Sequence, residues 1–366
     1  MIFFIDPMSY RNLEKYDLGL LESYRFKTVY FCSDLLSRRI GNPNVTVKKI
    51  YKYNNSSKFI KPLKYMLSQV LLLVYCLFLK PKAVHFQWVK APSFDYYIMF
   101  LIHKLGIKII YTAHNVLPHD SKDKYLNQFS KIYTLVDRII CHADETKSEL
   151  MSLFSVASAK ISVVPHGIDF ARSIINVDKS NEGKVVFSIV GGINAYKGIV
   201  EFVDVWCRLS SKCSSFRKAA VLYIRGKCNS KSYSKAITSS IKTDNVIFSD
   251  NILSDEDFVS TIMGSSYIVL PYIKISQSGV LADALARRKK VLVSDAGGLD
   301  DVLKYGVGIG FSWERGNLED VLASAVVEEF NIENYANWQK LEKDYNWETV
   351  SLRTQSIYEA TLDFEK

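Results

Sequence analysis

The chain has 366 residues, 48% of them apolar, and this length exceeds what one hydrophobic core usually organises, so two globular domains are expected. Its formal charge of +9 favours an anionic partner, which could be a phosphorylated small molecule, an acidic lipid or a nucleic acid. The chain has only 17 Gly and 8 Pro and no repeat, which excludes the solenoid and disordered classes of protein. Its six cysteines are scattered and form no C-x-x-C pair. This pattern excludes a disulfide framework and indicates a cytoplasmic protein.

Short β-rich runs alternate with longer helical patterns through the first half of the chain. The first run meets Asp6 and Pro7 at once, so it is predicted to be a core strand and not a signal peptide. The strands predicted in this half are residues 2–5, 28–32, 45–50, 84–87, 108–112, 138–141 and 161–164. The alternation is typical of a parallel sheet covered by helices, and it predicts a Rossmann-like domain over residues 1–168.

One apolar stretch of the first half lies between lysines. Residues 65–79 fall short of the roughly 20 residues that span a bilayer, so they should not cross a membrane. The lysines around this stretch are Lys58, Lys61, Lys64, Lys80 and Lys82. The arrangement suits a helix lying on an anionic membrane surface, and a buried core helix with solvated ends fits it equally well.

The second half restarts the same alternation after a polar segment. Residues 169–183 lack periodicity and are predicted to form a linker, followed by a second Rossmann-like domain over residues 184–348 and a crossover helix over residues 349–366. The strands predicted in this half are residues 184–190, 220–224, 246–248, 267–270, 290–293 and 308–311. The expected fold is therefore α/β, with two doubly wound domains facing across a cleft at the carboxyl ends of both sheets.

Polar side chains crowd the loop after the predicted strand 108–112. Two histidines, an amide and a carboxylate lie within a few residues of the strand end, and they are His114, Asn115, His119 and Asp120. Loops at strand ends carry binding and catalytic groups in open α/β sheets, so these residues are candidates on the acceptor side. The competing interpretation is a loop whose histidines only cap a helix.

A further histidine stands at the predicted domain boundary. His166 lies between Pro165 and Gly167, directly after a predicted strand. Gly167 could adopt a positive φ and turn His166 into the cleft. A hinge also needs Pro and Gly, so a structural role is an equal alternative.

Adjacent glycines open the first strand-to-helix turn of the second half. Gly191 and Gly192 follow the predicted strand, and Asn194 and Lys197 precede the next helix. Backbone N–H groups and the helix N-terminus at such a turn attract a diphosphate. At an effective dielectric of about 20, a lysine about 4 Å from one phosphate charge contributes roughly 4 kcal/mol before desolvation. A plain tight turn is the alternative.

Further residues of the second half are candidates for donor binding. An arginine at a strand end can bind phosphate oxygens, a polar run before a helix can form an anion nest, and a carboxylate in the first turns of that helix can reach a ribose. These residues are Arg225, Gln277, Ser278, Gly279 and Asp283. A surface salt bridge, an N-cap and an acidic residue at a helix's positive end are the respective alternatives.

In this order the motifs resemble the retaining glycosyltransferases of family 4, which have the GT-B fold. The resemblance covers nearly the whole chain. Its best parts are the His114-Asn115 loop, Pro165-His166-Gly167, Tyr196-Lys197-Gly198, residues 294–298 and residues 344–348 followed by a helix.

The chain also departs from the family pattern. Many members carry an arginine shortly before the lysine, where this chain has Gly192 or Asn194. Of two glutamates eight positions apart, Asp283 matches the second, and the first falls near Ile275 or Ser276. The glycine-rich loop that many members have after the first strand is absent.

The resemblance implies roles for individual residues. His114 would lie at the reacting sugar, and Lys197 would bind the diphosphate of a nucleotide-sugar donor. The acceptor would be a glycan or a polyprenyl-diphosphate-linked glycan in bacterial-type surface polysaccharide assembly, with retention of configuration and without cofactor or metal. The expected location is cytoplasmic, and a lipid-linked acceptor together with the lysine-flanked stretch would place the protein peripherally on the inner face of the plasma membrane, unless that stretch is a buried core helix.

One other class of function remains as an alternative, and a second is disfavoured. The departures from the family pattern fit a degenerate GT-B protein that binds a nucleotide-sugar or a partner without turnover. A nucleic-acid partner is not expected, because the basic residues are dispersed and no recognition motif is present.

Overall fold

The chain folds into two compact units in this computed structural model. The structure describes residues 1–10, 13–54, 57, 59–118, 123–170, 183–275, 278–327 and 335–362. One unit combines Met1–Gly167 with Tyr345–Lys366, and the other is Ile168–Asp344. Most of the predicted linker, residues 171–182, lies outside the described residues.

Every strand predicted from the sequence is present, with ends within one residue of the predicted bounds. The strands are β1 Ile2–Asp6, β2 Thr28–Ser33, β3 Val45–Tyr51, β4 Ala83–Phe86, β5 Lys108–Thr112, β6 Arg138–Cys141, β7 Ile161–Val163, β8 Val185–Val190, β9 Ala220–Arg225, β10 Val246–Ser249, β11 Tyr267–Leu270, β12 Lys290–Ser294 and β13 Gly308–Phe311. The predicted α/β fold of two Rossmann-like units is confirmed.

Helices connect the strands. They are α1 Glu14–Leu21, α2 Ile60–Leu79, α3 Pro92–Lys104, α4 Leu126–Leu135, α5 Asp144–Phe154, α6 Ile199–Lys212, α7 Ser214–Ala219, α8 Lys231–Ser240, α9 Asp255–Gly264, α10 Gly279–Ala286, α11 Leu318–Val327, α12 Tyr335–Tyr345 and α13 Trp347–Thr361. Among the described residues, α2 alone is long and apolar enough to cross a membrane, as judged by length and composition. It is longer than the apolar stretch of residues 65–79 that the sequence indicated.

The first unit is a seven-stranded parallel sheet in the order β3-β2-β1-β4-β5-β6-β7. Side chains alternate across it, so Phe3 and Ile5 enter the core under α2 to α5, whereas Ile2 and Phe4 enter a second core with α1 and α13. The order of β4, β5 and β6 places their carboxyl ends side by side. The loops after these strands therefore meet at one edge of the sheet.

The C-terminal helix α13 packs on the first unit. The Tyr358 and Tyr24 hydroxyls lie 2.8 Å apart, and Ser351 donates to the carbonyl of Leu20. The indole of Trp347 fills space beside two glycines, since a Cβ at Gly19 or Gly167 would lie within 2.3 Å of its ring atoms.

The second unit is a six-stranded parallel sheet in the order β10-β9-β8-β11-β12-β13. The strand order reverses between β8 and β11, and their pairing places the loops after both strands next to each other. Ligands of open α/β sheets bind at such a switch point. The predicted glycine turn follows β8 at this point.

Candidate active site

The turn after β8 is shaped by close backbone approaches. Gly191 has φ +96°, and Gly198, which precedes α6, has φ +64°. A Cβ on Gly198 would lie 2.3 Å from the carbonyl oxygen of Pro271, so only glycine lets the turn pack against the loop after β11. Between these glycines, Ala195–Lys197 forms one 3₁₀ turn that directs Lys197 inward.

Lys197 is a buried cation. The residue is 5% exposed, and its Nζ lies 5.4 Å from the centre of the Tyr272 ring. Burial lowers the pKa of its ammonium to about 8. Within the described residues, Nζ has neither a hydrogen bond nor a carboxylate partner. Burying an unpaired charge is costly, so this geometry suits an anionic ligand.

The two turn glycines are not equivalent. The Gly191 N–H donates to the carbonyl of Arg225 at 3.0 Å, so it is occupied by the sheet. This corrects the expectation that both amides face a diphosphate, and it leaves Gly192 as the glycine whose amide could serve. Asn194 lies beside Gly192, with its side-chain nitrogen 3.9 Å from the position of a Cβ there.

The beginning of α10 reaches the same turn. Ser278 accepts from the Leu281 N–H at 3.2 Å as an N-cap, and its hydroxyl is 3.2 Å from that of Tyr272. Gly279 is the first helical residue, and a methyl of Val280 lies 3.4 Å from the position of a Gly191 Cβ. The helix N-terminus therefore borders the Lys197 turn. Gln277 and Ser276 lie outside the described residues.

Arg225 and Asp283 are both engaged by neighbouring side chains. Arg225 donates to the Thr261 hydroxyl at 3.2 Å, and its guanidinium lies 5.3 Å from the Tyr223 ring centre. Asp283 forms an ion pair with Arg287 one turn later, at 3.0 Å. Its carboxylate is 43% exposed, so it can still accept from a ligand. The assignment of both residues to donor binding stays a prediction.

Tyr272 is a site residue that the sequence interpretation missed. It lies two positions after the end of β11, and its ring contacts Lys197 while its hydroxyl contacts Ser278. The Ser294 hydroxyl fixes this loop by donating to the Tyr272 carbonyl at 2.6 Å. A polar aromatic residue just beyond a central strand was the available signal.

In the first unit, His114 lies in a layer of polar and aromatic side chains. Its Nε2 is 3.1 Å from the side-chain amide oxygen of Gln87, and its Nδ1 is 3.2 Å from Nε2 of His142. The ring stacks on Trp88 at 4.5 Å and meets the edge of Tyr16 at 4.9 Å. Gln87 follows β4 and His142 follows β6, so both were missed because they are distant in sequence.

Hydrogen bonding determines where the protons of this layer lie. The Val164 carbonyl can only accept, so His142 donates to it from Nδ1 at 2.8 Å. The amide oxygen of Gln87 can also only accept, so His114 donates to it from Nε2. Burial, helped by the neighbouring histidines, lowers the pKa of His114 well below its usual range. Burial likewise lowers the pKa of His142 to about 3. His114 is therefore a neutral imidazole, and both of its ring nitrogens face side chains of the protein.

The remaining acceptor-side candidates are placed differently. His166 turns its Nδ1 to the carbonyl of Gly167 at 2.8 Å and lies 5.8 Å from the ring of His142. Asn115 is half-buried directly after His114. His119 and Asp120 lie outside the described residues.

Comparison with family models accounts for both units. Residues 29–172 match the model described as Glycosyltransferase Family 4, and residues 184–330 match the model described as Glycosyl transferases group 1. The chain belongs to the family 4 glycosyltransferases. A comparison of the sequence with curated proteins found no match.

Solved structures share the fold of this glycosyltransferase at low sequence identity. A glycosyltransferase from Rickettsia africae has a TM-score of 0.68 at 14% identity and covers 100% of this chain and 99% of its own. The lipopolysaccharide outer core galactosyltransferase WaaB has a TM-score of 0.68 at 15% identity, and the match covers 98% of this chain and 99% of WaaB. Anabaena HepE, solved with UDP-glucose, has a TM-score of 0.64 at 12% identity, and the match covers 98% of this chain and 99% of HepE. These likenesses assign the GT-B fold to the glycosyltransferase.

The described residues of the glycosyltransferase offer no group of three or more His, Cys, Asp or Glu side chains able to hold a metal ion. The candidate sites instead contain the buried ammonium of Lys197, after β8 in the second unit, and the neutral imidazole of His114, after β5 in the first.

Proposed function

We propose that this glycosyltransferase moves a sugar from a nucleotide-sugar to a glycan or lipid-linked glycan acceptor. The observation that carries the proposal is Lys197, a buried ammonium without a carboxylate partner among the described residues, beside a glycine turn and a helix N-terminus. A donor diphosphate would supply the missing negative charge. Two related folds support this, since Anabaena HepE was solved with UDP-glucose and an E. coli protein with UDP-2-fluoro glucose.

The proposed reaction depends on stabilising a leaving group. The bond between the sugar C1 and the donor phosphate oxygen breaks, a bond from C1 to the acceptor oxygen forms, and the acceptor proton passes to the leaving phosphate. Lys197, the Gly192 amide and the N-terminus of α10 would stabilise the developing diphosphate charge. This route needs no dedicated base and is consistent with retention of configuration.

The neutral state of His114 suits binding rather than proton removal. A buried imidazole with such a low pKa stays uncharged at neutral pH. We assign it to the lining of the sugar site, with Gln87 and His142 holding the orientation of its ring. The acceptor class, a glycan of surface polysaccharide assembly, has support from the likeness to WaaB, whose name refers to lipopolysaccharide.

The test begins with a thermal-shift screen against nucleotide-sugars. A ligand at about 100 times its Kd stabilises the folded chain by roughly 2.7 kcal/mol, so the true donor should raise Tm clearly. Lys197→Met should abolish the shift, whereas Lys231→Met, at an exposed position on α8, should keep it. An unchanged shift in the Lys197 variant would refute the site.

A binding protein without turnover is the second candidate. It is favoured by the ion pair between Asp283 and Arg287, which engages the carboxylate expected to bind the donor ribose. Measuring release of nucleoside diphosphate from the donor found in the screen, with and without acceptor glycans, separates the two. Donor binding without any release would support this candidate.

A further inference from the structure

Helix α2 turns apolar side chains outward. The exposed residues recur every three or four positions along the whole helix, which defines one face. They are Ile60, Leu63, Met66, Leu67, Val70, Leu71, Val74, Leu77, Phe78 and Leu79. Leu67 is 60% exposed and Phe78 is 82% exposed. A surface helix normally has the opposite orientation, with polar residues in water.

The buried face of α2 combines apolar and polar side chains, since Leu72 and Cys76 enter the core and Tyr65, Ser68 and Gln69 form hydrogen bonds. Tyr65 donates to the Asp95 carboxylate at 2.8 Å, and Gln69 donates to the same oxygen at 3.0 Å. Ser68 donates to the Ile50 carbonyl at 2.8 Å. These bonds join α2 to β3 and to the N-terminus of α3. The helix is therefore held on the sheet by core packing and by polar contacts, and its other face exposes apolar side chains.

Helix α3 continues this surface. It packs against α2 and exposes Tyr97, Phe100, Leu101 and Leu105. We call these exposed residues of α2 and α3 together the apolar face. Contiguous apolar surface of this extent is rare in monomeric soluble proteins and marks an interaction site.

The net positive charge of the protein lies in the same part of the chain. Residues 35–119 contain 13 Lys and Arg but a single acid, Asp95, which gives +12. The remaining residues contain 34 basic and 37 acidic side chains, which gives −3. The net charge is therefore concentrated in the part of the chain that carries the apolar face, although basic residues occur throughout the sequence.

We propose that the apolar face inserts into the interfacial layer of an anionic bilayer, with Lys61, Lys80 and Lys104 at the level of the lipid headgroups. All three lysines are exposed, two of them at the ends of α2 and one on the last turn of α3. An apolar face bordered by cations is the arrangement that binds such a surface. This inference does not depend on the donor site.

Other occupants of the apolar face fit the observations less well. A span across the bilayer would expose the polar side chains of Tyr65, Ser68 and Gln69 to lipid and break their bonds to Asp95 and Ile50. A second copy of the chain would bring two strongly positive segments together. A nucleic acid would match the charge but would leave the aliphatic surface without a partner.

Flotation with lipid vesicles tests the proposal. Wild type should float with vesicles of equal parts phosphatidylglycerol and phosphatidylcholine, and much less with phosphatidylcholine alone. Replacing Lys61, Lys80 and Lys104 by Gln should lower partitioning by about 100-fold. The double variant Leu67→Gln, Phe78→Gln should lower it by at least about 10-fold.

Matched variants of the second unit provide the controls. Ile252 and Val327 are 81% and 85% exposed, so Ile252→Gln, Val327→Gln removes two apolar side chains elsewhere that are about as exposed as Phe78 and more exposed than Leu67. Gln at Lys231, Lys235 and Lys242 removes three exposed lysines elsewhere. Both controls should float as wild type does. Cooperative thermal unfolding at the Tm of wild type in the apolar-face variants would show that they fold.

Three results would overturn the proposal. Wild type that fails to float with the anionic vesicles has no such surface. Equal loss of flotation in the test and control variants would remove the assignment to this face. A dimer that Leu67→Gln, Phe78→Gln converts to monomer in light scattering, or retention by heparin without vesicle binding, would identify a different partner. Each outcome is separable from donor binding, which is measured without vesicles.

Discussion

At the scale of single residues, Lys197 carries a charge that depends on pH near neutrality. Burial lowers its pKa to about 8, so the free ammonium is increasingly lost above that pH. Affinity for the donor's nucleoside diphosphate should fall by up to about tenfold per pH unit above 8. Calorimetric titration at pH 7 and at higher pH measures this.

The matched variant for this prediction is Lys197→Arg. Arginine stays protonated throughout the range, so its affinity should be nearly independent of pH even if weaker overall. If the two proteins lose affinity in parallel as pH rises, a group other than Lys197 is responsible.

Gln87 should control the protonation of His114. Its amide lies 3.1 Å from His114 Nε2, and Gln87→Glu would place a carboxylate there. A nearby negative charge raises a histidine pKa, so the variant should lose transfer rate as pH falls, approaching about tenfold per unit below the new pKa. Wild type should lack this acid limb in kcat/KM, because burial lowers the pKa of its His114.

Gln87→Met separates orientation from charge. The thioether cannot hold the imidazole by a hydrogen bond, so kcat should fall, yet no acid limb should appear. An acid limb shared by wild type and both variants would show that His114 is not the titrating group.

At the scale of elements, the loop after β8 and the loop after β9 approach each other closely at Gly191 and Gly226. Gly226 follows β9 with φ +150°, and a Cβ there would lie 1.9 Å from the Gly191 carbonyl oxygen. Gly226→Ala must displace the Lys197 turn, so it should destabilise the fold by about 3 kcal/mol and weaken donor binding. Urea unfolding and donor titration measure the two effects.

Gly316→Ala is the control for backbone strain. Gly316 has φ +64°, and a Cβ there would meet nothing within 4 Å. This variant should cost only about 1 kcal/mol and leave donor affinity unchanged. Equal donor affinities in the two variants would contradict the role of the close approach.

The elements themselves were predictable from the sequence. β5 lies at its predicted bounds because Ile109 and Ile110 belong to a short apolar run buried on both faces, as is typical of parallel sheets. The outward orientation of α2 was not predictable, since apolar residues surround its axis on every side. The contacts with Asp95 and the core packing of Leu72 and Cys76, both made with residues distant in sequence, fix which face is buried.

The candidate site was predictable in part. Placement after a strand selects His114 and Lys197 directly from the sequence. Their partners Gln87, His142 and Tyr272 follow other strands, and only the sheet order brings them alongside. The sequence also does not show whether a turn amide already donates a hydrogen bond within the protein, as the Gly191 N–H does to the carbonyl of Arg225. The roles of these residues in donor and acceptor binding remain predictions.

At the scale of the whole molecule, buried histidines and buried carboxyls have opposite effects on how the free energy of unfolding depends on pH. Burial lowers the pKa of His85 and of His142 to about 3, so these histidines stay neutral in the folded state. Burial raises the pKa of Asp6 and of Asp95 to about 6, so these carboxyls hold protons longer when folded. The histidines favour folding at higher pH and the carboxyls at lower pH. The pH dependence of wild type alone therefore mixes both effects.

His142→Gln isolates one contribution. In the unfolded chain His142 takes up a proton below about pH 6.5, whereas in the folded chain it does so only near pH 3. The contribution of His142 to the free energy of unfolding is therefore complete above about pH 6.5 and is lost as the pH falls. Between pH 7.5 and 5.5, the unfolding free energy of wild type should drop by about 1.4 kcal/mol more than that of the variant. Urea unfolding followed by circular dichroism measures the difference. His103→Gln, at a position 43% exposed, is the control and should follow wild type. If the His142 variant also follows wild type, His142 is not held neutral by the fold.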